Sequence, residues 1–234
     1  MRSLARTLYA ATLALLFPAR CSACAEPCPE GHPFCPSCAL SVEPIVSACP
    51  RCGLPLPDGA QEVPCLHCLV RPPPYAEVRS PFQFGGALAR AIRRLKWGHA
   101  PEVGRPLGQL LAAAADDDDD DVIVPVPLHP RRLRSREFNQ AALLALELPK
   151  ARRVDLAALA RVRDTPPQST LGLDERRKNV RDAFVARPER VRDRSIVVVD
   201  DVLTTGATVE ACARALLDAG AARVSVLTLA RAMP

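Results

Sequence analysis

Unbroken apolar runs of strand length stand at Val122–Val126 and at Ile196–Val199, and "RVSVLTLAR" near the C-terminus supplies another strand. Segments with helical spacing lie between them. "GGALARAIRRLKWGHA" puts Leu88, Ile92 and Leu95 on one face, with Arg90, Arg93, Arg94 and Lys96 elsewhere around the helix. That pattern predicts an ordinary amphipathic helix with a solvated basic face. "RPLGQLLAAAA" predicts a second helix, and "LHPRRLRSREFNQAALLALEL" a basic loop passing into a third. Val209–Ala219 predicts a fourth, ended by Gly220. Apolar runs alternating with amphipathic helices indicate an α/β fold built on a parallel sheet flanked by helices.

Before residue 83 the pattern changes. "MRSLARTLYAATLALLFPARC" imitates an export signal, but Tyr9 and Thr12 interrupt it and Pro18-Ala19-Arg20 is a poor cleavage site. Residues 1–20 are read as a short helix packing Leu4, Leu8, Leu15 and Leu16 onto the protein. No stretch is long enough for stable membrane insertion, so a cytoplasmic location is expected. Residues 21–70 hold the cysteines, and the proline-rich residues 71–82 read as an extended linker. Residues 83–234 carry the α/β pattern.

Nine of the ten cysteines lie between positions 21 and 68, and eight form CxxC pairs: Cys21/Cys24, Cys35/Cys38, Cys49/Cys52 and Cys65/Cys68. Two thiolates two residues apart reach one metal from a tight turn, and two such turns complete a four-thiolate zinc site. Sequential pairing makes two zinc ribbons; crossed pairing also satisfies the count. With four thiolates per ion no position is left for a reacting water, so both sites read as structural. A disulfide framework needs an oxidising compartment, which the N-terminus does not support. Cys28 and Cys212 are left over as spare or core residues, and His32 and His67 as solvated spacers.

Charge adds little by itself. The net charge is +5, but six acids form one block at Asp116–Asp121; outside it 31 basic residues face 20 acids, an excess of +11. Such an excess suits phosphate-bearing partners. Aromatics make up 4% of the chain, which weakens any reading based on stacked bases. The Asp block itself is expected to be a solvated loop.

The sharpest chemistry lies in "SIVVVDDVLTTGAT". Ligands of open parallel sheets bind beyond the carboxyl ends of strands. Backbone N–H groups of Thr204–Thr208 at the start of a helix can surround a phosphate, and Gly206 permits close approach. Asp200 and Asp201, acceptors only when ionised, suit the vicinal hydroxyls of a ribose. Capping would account for one or two of these residues, not for the series.

"IVVVDDVLTTGATVEACARALLDAGA" resembles the phosphoribosyl-diphosphate (PRPP) signature of type I phosphoribosyltransferases. With "VPVPLHPRRLRSREFNQAALLA", "PQSTLGLDERRKNVRDAF" and the four CxxC pairs, the chain is similar to the ComF family. The resemblance implies that Asp200 and Asp201 hold the ribose hydroxyls and that Thr204, Thr205, Gly206, Ala207 and Thr208 hold the 5-phosphate. It implies a pyrophosphate loop at Pro127–Arg136, with Arg131, Arg132, Arg134 and Arg136 as candidate cations. Gln168, Arg176 and Asn179 match a second motif. The family's usual RGFNQ is departed from at Glu137, which follows Arg136. Implied ligands are PRPP with Mg2+, plus an acceptor the residues do not name. The implied role is ribose 5-phosphate transfer associated with natural competence, DNA uptake or nucleotide salvage. The other reading is a non-catalytic PRPP or nucleotide sensor, or a protein handling single-stranded DNA or meeting competence proteins.

Overall fold

The structure, a computed structural model, describes residues 19–57, 63–115, 122–149, 153–165, 180 and 182–233. Most of the expected N-terminal helix, the Asp block, and Gln168, Arg176 and Asn179 lie outside the described residues. Two short helices, α1 (Pro36–Ala39) and α2 (Leu66–Val70), each begin immediately after a cysteine. Strands β1 (Val78–Arg79) and β2 (Phe82–Gln83) lead to α3 (Gly86–Trp97) and α4 (Gly104–Ala112). There follow β3 (Val122–Pro125), α5 (Pro130–Arg136), α6 (Gln140–Ala145) and β4 (Arg153–Val154). An antiparallel pair, β5 (Leu159–Arg161) and β6 (Phe184–Ala186), precedes α7 (Pro188–Val191). The chain closes with β7 (Ser195–Leu203), α8 (Ala207–Asp218) and β8 (Arg223–Arg231).

The main sheet has the order β1-β8-β7-β3-β4, with β2 also on β8, and every pairing in it is parallel. Strands in such a sheet are covered on both faces, which explains why β3 and Ile196–Val199 of β7 are wholly buried. One face packs against α8, where Val209, Cys212, Ala213 and Leu216 join Val124, Val198 and Val226. The other packs against α3, α4 and α6, through Leu88, Ile92, Leu95, Leu107 and Leu144. Each such leucine or isoleucine contributes on the order of 1.5–3 kcal/mol by leaving water. The crossover after β3 therefore runs on one face and that after β7 on the other. Strand order reverses between these two neighbours, which opens a crevice at their carboxyl ends.

β7 is longer than the apolar run predicted. β8 stays paired with it as far as Leu203 opposite Arg231, whereas β3 reaches only Val199. Asp200 and Asp201 thus stand within a strand that is bonded on one side, rather than in a turn. The predicted basic loop after β3 is also mostly helical. Pro130 occupies the first turn of α5, and the His129 ring caps it by accepting from the Arg131 N–H.

The segment read as a linker is extended, and part of it joins the sheet. Val78 is buried and pairs with Val226. The cysteine turns dock onto the same edge. Ser41 Oγ accepts from Ala87 N–H at 3.0 Å and so caps α3 from outside the helix. Gly86 makes that possible: its φ is +48°, and a Cβ there would lie 2.0 Å from the Ser41 carbonyl.

Candidate functional site

The sulfurs of Cys21, Cys24, Cys35 and Cys38 gather within 4.8 Å of one another, and those of Cys49, Cys52, Cys65 and Cys68 do likewise. The pairing is therefore sequential. Zinc bonded to thiolates at about 2.3 Å holds them about 3.8 Å apart. Cys24 and Cys35 stand 3.8 Å apart and Cys52 and Cys65 3.7 Å, so both sets fit a tetrahedral ion, and all the cysteines are free of disulfides. The Ser37 hydroxyl and the Cys38 backbone N–H hold the Cys35 thiol down at about 6, ready to ligate as thiolate. Cys28 instead donates to the His32 carbonyl, and Cys212 is buried in α8.

At the crevice, Asp201 is almost wholly buried and its Oδ2 lies 2.5 Å from Lys96 Nζ. That lysine lies in the last turn of α3, on the face predicted to be solvated. Asp201 N–H donates to Asp200 Oδ1 at 2.9 Å. Two adjacent carboxylates in a dry site cannot both ionise cheaply. Burial and the neighbouring Asp201 push the Asp200 carboxyl well up, while Lys96 holds Asp201 down against its own burial. The charge of the pair is thus drawn toward Asp201 and the proton toward Asp200.

Beyond β7, Gly206 takes φ +81° just before α8, a conformation that strains any other residue. Glu210 N–H returns to the Gly206 carbonyl at 2.8 Å. Among the described residues no acceptor faces the N–H groups of Thr205 and Gly206. Two donors, glycine and a helix N-terminus at a strand end make a cup for an anion.

The arginines after β3 divide. Arg131 is exposed and meets Asp164 at 3.3 Å, and Arg134 is exposed. Arg132 donates to the Thr165 carbonyl at 2.6 Å, and half-buried Arg136 donates to Gln140 at 2.7 Å. Burial and then Arg132 depress the Arg136 guanidinium, with the charge of Asp201 opposing them, so Arg136 sits in the field of the carboxylate pair. Glu137 closes α5 in the left-handed region, φ +70°.

Two residues that pattern reading passed over belong here. Arg161 is 8% exposed, lies over the Phe184 ring, shares Thr165 with Arg132, and has a buried Nε without a partner among the described residues. Arg231, on the last residue of β8, donates to the Cys52 carbonyl at 3.0 Å and to those of Leu203 at 3.0 Å and Thr204 at 2.6 Å. It clasps the second cysteine cluster to the anion cup. The first cluster is tied through Arg94, which donates to the Cys21 and Ser22 carbonyls from the helix that carries Lys96. A cavity of about 560 Å3 lies where the second cluster meets the cup, between Leu54, Tyr75, Gly206 and Met233.

Residues 12–69 match the double zinc ribbon domain, and residues 113–233 match the phosphoribosyl transferase domain. The chain is 34% identical over 229 residues to the DNA utilization protein YhgH of Escherichia coli strain K12, covering 94% of this chain and all of that protein. It is 30% identical over 212 residues to competence protein F of Haemophilus influenzae, covering 85% of this chain and 90% of that protein. Competence protein ComFC of Bacillus subtilis is 36% identical over 111 residues, 47% of this chain and 44% of that protein. The chain belongs to the ComF family. In this ComF family member the cysteine clusters are zinc ribbons and the sheet is a phosphoribosyltransferase domain. Residues 70–112, which contain Lys96, fall between the two matched domains. No helix among the described residues is long and apolar enough to cross a membrane.

Proposed function

We propose that the chain binds PRPP with Mg2+ and transfers its ribose 5-phosphate to an acceptor, in the service of DNA use or competence. The observation that carries this reading is the carboxylate pair Asp200–Asp201 on the strand that runs directly into the Gly206 cup. A sugar whose hydroxyls meet the carboxylates has its 5-phosphate within reach of Thr204, Thr205, Gly206, Ala207 and Thr208. Asp201, toward which the charge is drawn, accepts from a ribose hydroxyl; Asp200, where it holds the proton, can donate one hydrogen bond and accept another. Arg132, Arg136 and Arg161 form a group of cations with few acidic partners, suited to a departing diphosphate. Mg2+ arrives with PRPP and neutralises diphosphate oxygens.

In the transfer, the bond from C1 of the ribose to the diphosphate oxygen breaks and a bond from the acceptor to C1 forms, with the acceptor's proton passing to solvent. Positive charge on the ring is stabilised by the carboxylate pair, and negative charge on the leaving group by the arginines. The remainder is positioning. Zinc stays outside the chemistry and holds the ribbons that fix Lys96 and the cup.

The second reading, PRPP sensing or single-stranded DNA handling without catalysis, draws on Glu137, the carboxylate that follows Arg136 in the chain. The relatives' names, DNA utilization protein and competence protein, agree with either. Calorimetric titration with Mg–PRPP of wild type and of the double variant Asp200→Asn/Asp201→Asn tests the core of the proposal. Strong binding lost in the variant supports it, and equal binding by both sinks the ribose assignment.

A further inference from the structure

Trp97 is the chain's one tryptophan, and it is 64% exposed at the end of α3. Its ring centroid lies 6.0 Å from Lys96 Nζ, and that ammonium lies 2.5 Å from Asp201. An exposed indole thus stands one side chain away from the carboxylate pair. Its position is firmly held. Leu88, Ile92 and Leu95 are buried below it, and Arg94 bonds the first ribbon. Gly98 N–H returns to the Arg94 carbonyl at 2.8 Å, and a Cβ on Gly98 would lie 2.7 Å from that oxygen. His99 then takes φ +47°, so the chain turns away directly after the tryptophan. The helix delivers a flat apolar ring to the rim of the crevice and stops.

Single exposed apolar residues are common on protein surfaces. This one differs because the polar groups beside it are already assigned to a sugar phosphate. A phosphate gains little from an indole, whereas a planar heterocycle stacks on it and leaves water. We propose that Trp97 is a specificity-determining platform on which the site stacks a planar heterocyclic ring. The proposal rests on the reading that ribose phosphate occupies Asp200–Thr208. The ring belongs either to the small acceptor or to a base of a single strand; the stacking chemistry is the same.

Having a sole tryptophan makes the test direct. The full zinc-loaded chain is titrated with adenine, adenosine and a short oligothymidylate, with and without Mg–PRPP, while Trp97 emission is followed. Saturable quenching by at least one probe is expected. Trp97→Leu should weaken that probe's binding by roughly tenfold or more, read by calorimetry, while Trp97→Phe, which keeps a ring, stays much closer to wild type. Quenching by adenine or adenosine assigns the ring to a small acceptor, and quenching by the oligonucleotide alone assigns it to a strand. Absence of quenching by every probe, or undiminished binding by Trp97→Leu, overturns the platform. Mg–PRPP affinity, measured in parallel, reports on the ribose site alone and is expected to be unchanged in both variants.

Discussion

Lys96 Nζ and Asp201 Oδ2 form an ion pair 2.5 Å long across more than a hundred residues of sequence. It joins the end of an amphipathic helix to the strand that runs into the Gly206 turn. The carboxylate is 3% exposed and the lysine 21%, so the pair is largely dry on one side only. Breaking such a pair leaves an uncompensated buried charge.

Lys96→Met is expected to cost about 2–3 kcal/mol, less than a fully buried pair because water reaches the lysine. Urea denaturation measures it. Adding Asp201→Asn in the same chain should restore a large part of the loss, since the second change removes the orphaned charge. Strictly additive losses would show that the two side chains do not interact.

The carboxylate pair makes a pH prediction with opposite signs for its members. Asp200 has a folded pKa raised above its unfolded value of about 3.9, so its stability contribution is complete below that value and is lost as pH rises through the folded one. Asp201, held down by Lys96, contributes above about 3.9 and loses its contribution as pH falls through its folded value. Asp200→Asn removes only the first dependence. Thermal melts at pH values rising from the ordinary carboxylate range should show the variant gaining on wild type as pH rises. A difference that stays constant with pH would contradict the raised pKa of Asp200.

Glu137 offers a stabilising change. It sits at φ +70° where α5 ends, a position that favours glycine. Glu137→Gly should stabilise the fold by up to about 1 kcal/mol through relief of the left-handed backbone, offset in part by chain entropy. It also removes a negative charge from the loop that carries Arg136, so Mg–PRPP affinity is expected to rise. Unchanged or weaker PRPP binding would favour the DNA-handling reading of this loop.

Arg231 predicts that zinc and substrate are linked. Its guanidinium bonds the carbonyl of the zinc ligand Cys52 and that of Thr204 in the cup. Arg231→Met leaves several carbonyls without a donor and should cost about 2–4 kcal/mol. The variant is expected to retain two zinc ions by metal analysis yet bind Mg–PRPP less tightly. Stripping zinc from wild type with a chelator should weaken PRPP binding in the same direction. Full affinity in the stripped protein would show that the ribbons are independent of the site.

What the sequence alone determined is local in nature. Cysteines two residues apart announce their metal sites because a turn suffices to bring two thiolates together, while which turns share an ion was decided by the fold. The parallel sheet was legible because strands covered on both faces must be apolar throughout. Asp200, Asp201 and Gly206 stood out in the sequence because a strand end and the turn that opens the next helix are contiguous in the chain. Tertiary structure decided what depends on contacts between distant segments. The face of α3 read as solvated holds both the lysine that neutralises Asp201 and the tryptophan at the rim, because that helix ends against β7. The extended segment became an edge strand, since β8 offered unpaired backbone beside it. Arg231 looked like the close of a strand, and only the docking of the second ribbon gave it the Cys52 carbonyl to hold. Periodicity records which side of an element is apolar; it does not record what the polar side will meet.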